Sequence, residues 1–263
     1  MKQTGKNILV VLAVISTLIF GCKEELDVLP NDSMTELDFL NNPENAVQLI
    51  NGIYNKQLDW NMYSFSWIGV TSITSDDAEK GSTVNDLGTD KKNLDDLNFN
   101  SSDISFKDIW LSRYDGIYRA NTALHYLELL NLNEALKNRL IGEAKFLRAL
   151  FYFDLVRCFG GVPIVISKID INDNETIRRV VYTRKTKEET YDQIKADLMD
   201  AIERLPLKSQ YSGTDLGRAS QGAAQGLLAK VYLYQQDWVN AYTYANLVTG
   251  SGQYSLEPDY AHV

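Results

Sequence analysis

Residues 142–163 read GEAKFLRALFYFDLVRCFGGVP, and this stretch decides the fold. Its apolar residues recur at steps of three and four, with a second apolar stripe beside the first. The pattern predicts a helix over residues 134–158 that is apolar around most of its circumference and therefore lies at the centre of the domain. Gly160 and Gly161 end this helix, because glycine readily adopts the left-handed conformation of a helix C-terminus. Residues 162–166 follow as a short extended segment.

Helical patterns continue on both sides of this stretch. Apolar residues at helical spacing follow Pro43 and run again through residues 106–130. Thr186 and Glu189 have the spacing of a capping box and predict the start of another helix, which Pro206 stops. The sequence therefore predicts an all-α fold.

Residues 220–235 and 238–249 predict a helical hairpin with a tight turn at Gln236 and Asp237. The hairpin resembles a tetratricopeptide unit, in which small residues let neighbouring helices nest while aromatic residues fill the grooves. Gln236 stands where that unit usually has glycine. The residues at the matching positions are Ala229, Tyr232, Trp238 and Ala241.

The composition excludes several classes of function. The chain has 263 residues, 26 Lys and Arg against 35 Asp and Glu, and a formal net charge of −9, which argues against binding to a nucleic-acid backbone. Its two histidines and two cysteines show no metal-ligand spacing, and only Cys22 and Cys158 could form a disulfide. The sequence predicts no cofactor and no metal site. Its 15 Tyr, 9 Phe and 4 Trp suit packing or stacking on ligands.

The N-terminus has the pattern of a secretory signal. Lys2 and Lys6 precede an apolar run over residues 8–20, too short to span a bilayer and long enough for a signal-peptide core. We therefore predict a signal peptide over residues 1–21, whose removal deletes two lysines and changes the net charge from −9 to −11. Gly21-Cys22 resembles the lipidation site of bacterial lipoproteins, with Cys22 as the lipidated N-terminus. Ordinary secretion, with Cys22 merely near the cleavage site, is the alternative.

Residues 22–42 are polar and irregular and predict a tether. Residues 57–105 are also aperiodic but rich in aromatic residues. Long aperiodic segments in compact domains are usually functional or disordered, and the aromatic density favours order. This excursion is the main candidate for ligand-facing structure.

The chain as a whole resembles the SusD/RagB family of nutrient-uptake outer membrane lipoproteins. The family's hallmark is an Ala-Glu-Ala-(Lys/Arg)-Phe-Leu-Arg-Ala helix that ends in Phe-Gly-Gly-Val-Pro, and here Gly142 replaces the first alanine. Further similar pieces occur in family order at residues 22–27, 75–78, 110, 114–121, 217–220 and 254–256.

The resemblance implies a tetratricopeptide-like helical scaffold with long loop excursions over residues 43–263, incomplete at the C-terminus because family members commonly run to about twice this length. It implies a lipid-anchored protein on the outer face of the outer membrane. Such a protein captures oligosaccharide or, in some members, peptide and passes it to a TonB-dependent, SusC-like transporter.

Five residues of the excursion are candidates for ligand contact. Sugar rings stack their apolar faces on aromatic rings, and polar side chains satisfy their hydroxyls. The alternatives are core packing for the two tryptophans and capping for the two aspartates. The candidates are Trp60, Trp67, Asp76, Asp77 and Lys80.

The charged residues of the hallmark helix favour structural roles. Asp154 and Arg157 have an ion-pair spacing on one helix face, and Arg148 lies on the same helix. Cys158 is expected to be a buried free thiol.

Catalysis is disfavoured. Adjacent residues of an extended chain point to opposite faces, so Asp76 and Asp77 cannot flank one glycosidic bond. A histidine triad would need His125 or His262, and no Gly-x-Ser-x-Gly elbow accompanies either. The remaining rival to a ligand-binding protein is a scaffold that binds only a partner chain.

Overall fold

The computed structural model describes Phe39, Asn42, residues 44–81, Thr83, residues 90–170 and residues 172–259, and within these it contains helices and no strand. The predicted signal peptide 1–21, Cys22 and most of the tether lie outside the described residues. The helices from residue 45 onward belong to one compact unit. Its six long helices are α1 (Asn45–Lys56), α2 (Ile104–Leu129), α3 (Glu134–Phe159), α4 (Lys187–Arg204), α5 (Gln221–Tyr234) and α6 (Trp238–Thr249). The all-α prediction is confirmed.

Helix α3 contains the hallmark stretch and is the central helix. Half of its 26 residues are buried, and it packs between α2 and α4. Asn133 caps its N-terminus by accepting hydrogen bonds from the backbone N–H groups of Ala135 and Leu136. The remaining helices pack in chain order, since α1 lies on α2, α4 on α5 and α5 on α6.

The two glycines after α3 are required for different reasons. Gly160 has φ +72° and ψ −137°, a conformation that glycine adopts and other residues avoid. A Cβ atom on Gly161 would collide with the backbone oxygen of Lys185. The chain leaving α3 therefore passes directly against the segment that leads into α4, where the Lys185 N–H donates to the Val162 oxygen.

The sequence-predicted capping box and hairpin are both present. The Thr186 hydroxyl accepts from the Glu189 N–H while the Glu189 carboxylate accepts from the Thr186 N–H, at 3.0 and 2.8 Å. Asp237 caps α6 through the Asn240 N–H, and Gln236 in the turn before it has φ +62°. Ala241 is the buried residue of α6, and α6 packs against α5. The paired helices form the predicted tetratricopeptide-like scaffold.

Buried ion pairs connect helices that are distant in sequence. Arg148 of α3 forms a two-bond contact with Asp197 of α4, with nitrogen–oxygen distances of 2.6 and 2.8 Å. Glu143, also on α3, accepts from Arg218 at 3.0 Å just before α5. Burial raises the pKa of the Glu143 carboxyl, and the Arg218 guanidinium opposes that shift.

The extended segment 162–166 runs alongside α2 and α3, and no strand in the described part of the chain pairs with it. Side chains of these helices bind its backbone instead. Tyr114 donates to the Pro163 oxygen at 2.7 Å, and Asn121 and Tyr152 both donate to the Val165 oxygen at 2.9 Å. Arg148 donates to the next carbonyl, that of Ile166, at 2.9 Å. The backbone oxygens of Pro163, Val165 and Ile166 are thus satisfied by side chains of the long helices.

Candidate functional site

The aromatic part of the excursion is helical. Residues 57–73, expected to be a loop, form the short helices Trp60–Tyr63 and Phe65–Ile68 and a π-helical turn, Gly69–Ile73. Asp59 starts the first of them by accepting from the Asn61 N–H at 2.9 Å. Each piece is too short to produce a helical hydrophobic period, which is why the sequence pattern did not predict them.

Trp60 lies on the surface of this excursion. Its side chain is 66% exposed, and its ring stacks on that of Phe65 with centroids 6.1 Å apart and planes at 26°. The buried Lys91 ammonium lies 4.2 Å from the Phe65 ring centre and is fixed by hydrogen bonds to Asp90 and Ser105. Trp60 therefore presents an exposed ring on an aromatic neighbour that is anchored from beneath.

Trp67 is turned toward the helical scaffold. Its ring lies 4.4 Å from the guanidinium of Arg113 and 5.3 Å from that of Arg157, and it meets Tyr63 edge-on at 5.8 Å. These contacts favour the packing alternative for Trp67, because both arginines belong to the long helices α2 and α3.

A buried carboxylate holds the two arginines together. Asp154 is 1% exposed and lies 2.5 Å from the Arg157 Nη2 and 3.3 Å from the Arg113 Nε. Burial raises the pKa of the Asp154 carboxyl, and both guanidiniums oppose this shift. The predicted pairing of Asp154 with Arg157 is confirmed, and Arg113 of α2, which the sequence did not single out, completes the cluster.

Asp76, Asp77 and Lys80 follow the π-helical turn. The two aspartates are exposed in a turn, where the Asp77 N–H donates to the Ser75 hydroxyl at 3.3 Å, and Lys80 is half-buried. All three come after the aromatic part of the excursion in the sequence.

The sequence did not predict a pocket that lies beside the extended segment 162–166. Its volume is about 320 Å³, and α2, residues 165–169 and the π-helical turn Ile177–Val181 form its wall. Tyr118 on its rim is 58% exposed. The signal in the sequence was the motif over residues 114–121, which supplies Tyr114, Ile117 and Asn121 to the wall.

Cys158 is a free thiol, as expected, but it is half-buried and not fully buried. Burial raises its pKa to about 11, so the thiol stays protonated near neutral pH and is a poor nucleophile. In the part of the chain that the structure describes, no three His, Cys, Asp or Glu side chains cluster as a metal site. No described helix is both long enough and apolar enough to cross a bilayer.

These features define a class of protein: an all-α scaffold of stacked, tetratricopeptide-like hairpins that carries an aromatic excursion between α1 and α2. The particular family follows from comparison with known proteins. The chain belongs to the SusD-like family, since residues 25–233 match the family described as "Starch-binding associating with outer membrane".

The curated relatives align with nearly all of this chain, and the aligned part is about half of each relative's own length. A SusD-like protein of Bacteroides ovatus is 27% identical over 250 residues, which cover 92% of this chain and 42% of the relative. SusD-like protein P2 of Formosa agariphila is 27% identical over 265 residues, covering 98% and 50%. The chain therefore spans about half the length of the curated relatives it matches.

Solved structures share the fold. A laminarin-binding SusD-like protein is 29% identical with a TM-score of 0.67, and the match covers 80% of this chain and 44% of the chain of that protein. A SusD homologue from Bacteroides thetaiotaomicron is 26% identical with a TM-score of 0.69, and the match covers 89% of this chain and 46% of the homologue. The predicted family and helical scaffold are confirmed.

Proposed function

We propose that this chain is the glycan-binding part of a cell-surface lipoprotein that captures oligosaccharide and passes it to a TonB-dependent outer membrane transporter. The observation that carries the proposal is the exposed Trp60 ring, stacked on Phe65, on a scaffold whose family is described as starch-binding. The apolar face of a sugar ring stacks on such an aromatic surface.

Polar groups on the same excursion complement the ring. Asp76 and Asp77 are exposed, and their carboxylates accept hydrogen bonds from sugar hydroxyls, while the Lys80 ammonium donates them. Trp67 supports the excursion from the scaffold side through Arg113 and Arg157. The chain binds without chemical conversion, so the bound glycan leaves unchanged.

Isothermal titration against a glycan panel that includes laminarin and starch tests this proposal. We expect heat of binding without product formation. Loss of one stacked ring is worth about 0.5–1.5 kcal/mol, so Trp60→Ala is expected to weaken binding roughly 2- to 13-fold. Trp238→Ala is the matched control, because Trp238 has a similar exposure of 62% on α6, outside the excursion.

Three outcomes contradict the proposal. If Trp60→Ala and the unchanged chain bind glycan with equal affinity, Trp60 is not part of the binding site. Binding of oligopeptides in place of glycans assigns the chain to peptide capture. Binding of neither, with co-purification of a barrel transporter, assigns it to a partner-binding scaffold.

The anchor and the transporter are tested separately. We propose that Cys22 carries the lipid, so Cys22→Ser abolishes incorporation of labelled palmitate and releases the protein from the outer membrane fraction. Export with normal membrane retention in Cys22→Ser contradicts lipidation. Purification of the native, tagged protein from its own membranes is expected to recover a SusC-like barrel in equal amount.

A further inference from the structure

The connection between α3 and α4 contains a strongly basic stretch. Residues 176–187 read TIRRVVYTRKTK and carry five cations and no acid, so the remainder of a chain with a net charge of −9 carries −14. All five cationic residues are exposed. Arg184 donates to backbone oxygens at the end of α3, and Lys185 pairs with Glu189 at 3.5 Å. Since charges are screened beyond roughly 8 Å at physiological ionic strength, a ligand at this stretch meets the local cations and little of the distant acidic surface.

Arg178 and Arg179 keep their charges for an external partner. In the part of the chain that the structure describes, no carboxylate forms an ion pair with either guanidinium. Asp173 accepts from the Thr176 N–H at 3.0 Å, and Arg179 attracts this carboxylate only weakly. Two adjacent guanidiniums without partner carboxylates favour the binding of anionic groups, because arginine presents several donors in a rigid, planar fork.

The π-helical turn Ile177–Val181 fixes the backbone of these arginines. Two of its apolar residues, Ile177 and Val181, line the pocket described above and so hold the turn against the scaffold. The Thr183 hydroxyl donates to the backbone oxygen of Arg178 at 3.2 Å, which ties the end of the turn to its start. The turn therefore presents its arginines from a fixed backbone.

The two arginines line an open cleft of about 690 Å³, which we call the arginine cleft; its other described lining residues are Asn174 and Glu175. The Asn174 amide can both donate and accept hydrogen bonds, and the Glu175 carboxylate accepts them. A carboxylate in the cleft repels a bare anion, but it suits a ligand whose hydroxyl groups donate to it. Tyr182, 77% exposed, lies just after the turn and offers a ring to the apolar face of a sugar. These groups together match an acidic saccharide.

We propose that the arginine cleft is a second saccharide-binding site of this chain, selective for sugars that carry carboxylate groups, as in an oligouronide. A guanidinium and a carboxylate are both planar and form two parallel hydrogen bonds, which the ammonium of lysine does not reproduce. The inference rests on the proposed function only in taking the ligand to be a saccharide. Trp60 lies on the connection between α1 and α2, and the arginine cleft lies on that between α3 and α4, so the two sites can be tested apart.

Isothermal titration with trimers of galacturonate and of mannuronate, each compared with its methyl ester, tests the inference. The members of each pair share sugar and linkage and differ in charge. We expect at least one uronide to bind the full chain and its ester to bind roughly tenfold more weakly. The difference should shrink as salt is raised to about 0.5 M, because salt screens exposed ion pairs.

Two double variants locate the site. Arg178→Gln with Arg179→Gln is expected to weaken uronide binding roughly tenfold. The matched control is Lys107→Gln with Lys230→Gln, which makes the same change in net charge at exposed positions of α2 and α5 and should leave the affinity unchanged. Since all four positions are exposed, the thermal midpoints of both variants should stay close to that of the unchanged chain.

Four results would overturn the inference. Failure of both uronides to bind, with binding of neutral glycans intact, removes the site. An equal loss in the arginine variant and the lysine control reports net charge alone. Uronide binding that is lost in Trp60→Ala and kept in the arginine variant assigns the uronide to the excursion. Tighter binding of a sulfated trisaccharide than of either uronide refutes selectivity for carboxylates.

The same titrations distinguish this inference from the proposed function. If no neutral glycan binds while uronide binding still depends on Arg178 and Arg179, the proposal for Trp60 fails and the arginine cleft stands.

Discussion

Replacing Arg148 by methionine removes the cation from the most heavily bonded ion pair of the scaffold. The Arg148 guanidinium forms two bonds with the Asp197 carboxylate, at 2.6 and 2.8 Å, and donates to Asn121 at 2.7 Å and to the Ile166 oxygen at 2.9 Å. The side chains of Arg148 and Asp197 are 5% and 3% exposed. Methionine fills a similar volume but leaves the Asp197 carboxylate buried without its counter-charge.

The expected loss is large because of this stranded carboxylate. Breaking a buried pair from one side costs about 3–5 kcal/mol in the free energy of unfolding. With a urea m-value of about 2 kcal/mol per molar, the midpoint of unfolding falls by roughly 1.5–2.5 M. Circular dichroism during urea titration measures this shift, and hydrogen exchange is expected to report faster exchange in the segment 162–168.

Two further variants separate the ion pair from simple loss of a side chain. Arg178→Met removes an exposed arginine and should change stability by about 0.5 kcal/mol or less. The double variant Arg148→Met with Asp197→Leu removes both charges and should recover most of the loss. A cost below about 1 kcal/mol for Arg148→Met alone, or no recovery in the double variant, would refute the reasoning.

Three other perturbations follow from local geometry. Gln236→Gly relieves a left-handed backbone at φ +62° and should raise stability by about 0.5–1 kcal/mol, seen as a higher thermal midpoint; an unchanged or lower midpoint contradicts this. Gly161→Ala forces a Cβ against the Lys185 oxygen and should cost about 1–3 kcal/mol in urea unfolding, and a neutral result would mean that the two segments separate freely. A hydrogen bond from the Arg139 guanidinium holds the pKa of Asp215 below its usual range. Above the unfolded-state pKa of about 3.9, the ionised carboxylate therefore stabilises the folded state. This stability is lost as the pH falls through the lower folded-state pKa. Asp215→Asn should therefore show a shallower acid-side loss in unfolding titrations between about pH 5 and 2, and a profile parallel to that of the unchanged chain would contradict the assignment.

Local signals in the sequence predicted the long helices and their ends. These signals are short-range: they are the capping box at Thr186 and Glu189, the glycine pair after α3 and the turn before α6. Because each depends on only a few neighbouring residues, it can be predicted from one stretch of sequence. The pairing of Asp154 with Arg157 is also local, one helical turn apart.

Contacts between distant parts of the chain were not predictable in this way. Arg148 and Asp197 are 49 residues apart, and nothing in either neighbourhood specifies the other. The inward orientation of Trp67 depends on Arg113, 46 positions further along the chain, so the sequence alone left both alternatives for this tryptophan open. Exposure, which distinguishes Trp60 from Trp67, is a property of the packed structure.

The way in which segment 162–166 is held has a consequence for how its surface can diversify. The helical donors Tyr114, Asn121, Arg148 and Tyr152 bind carbonyl oxygens, which every amino acid provides. The path of the segment is therefore encoded in the helices and is insensitive to which side chains the segment itself displays at positions 164–166. Mutation at these positions can therefore change the surface of this edge of the pocket while the backbone stays in place.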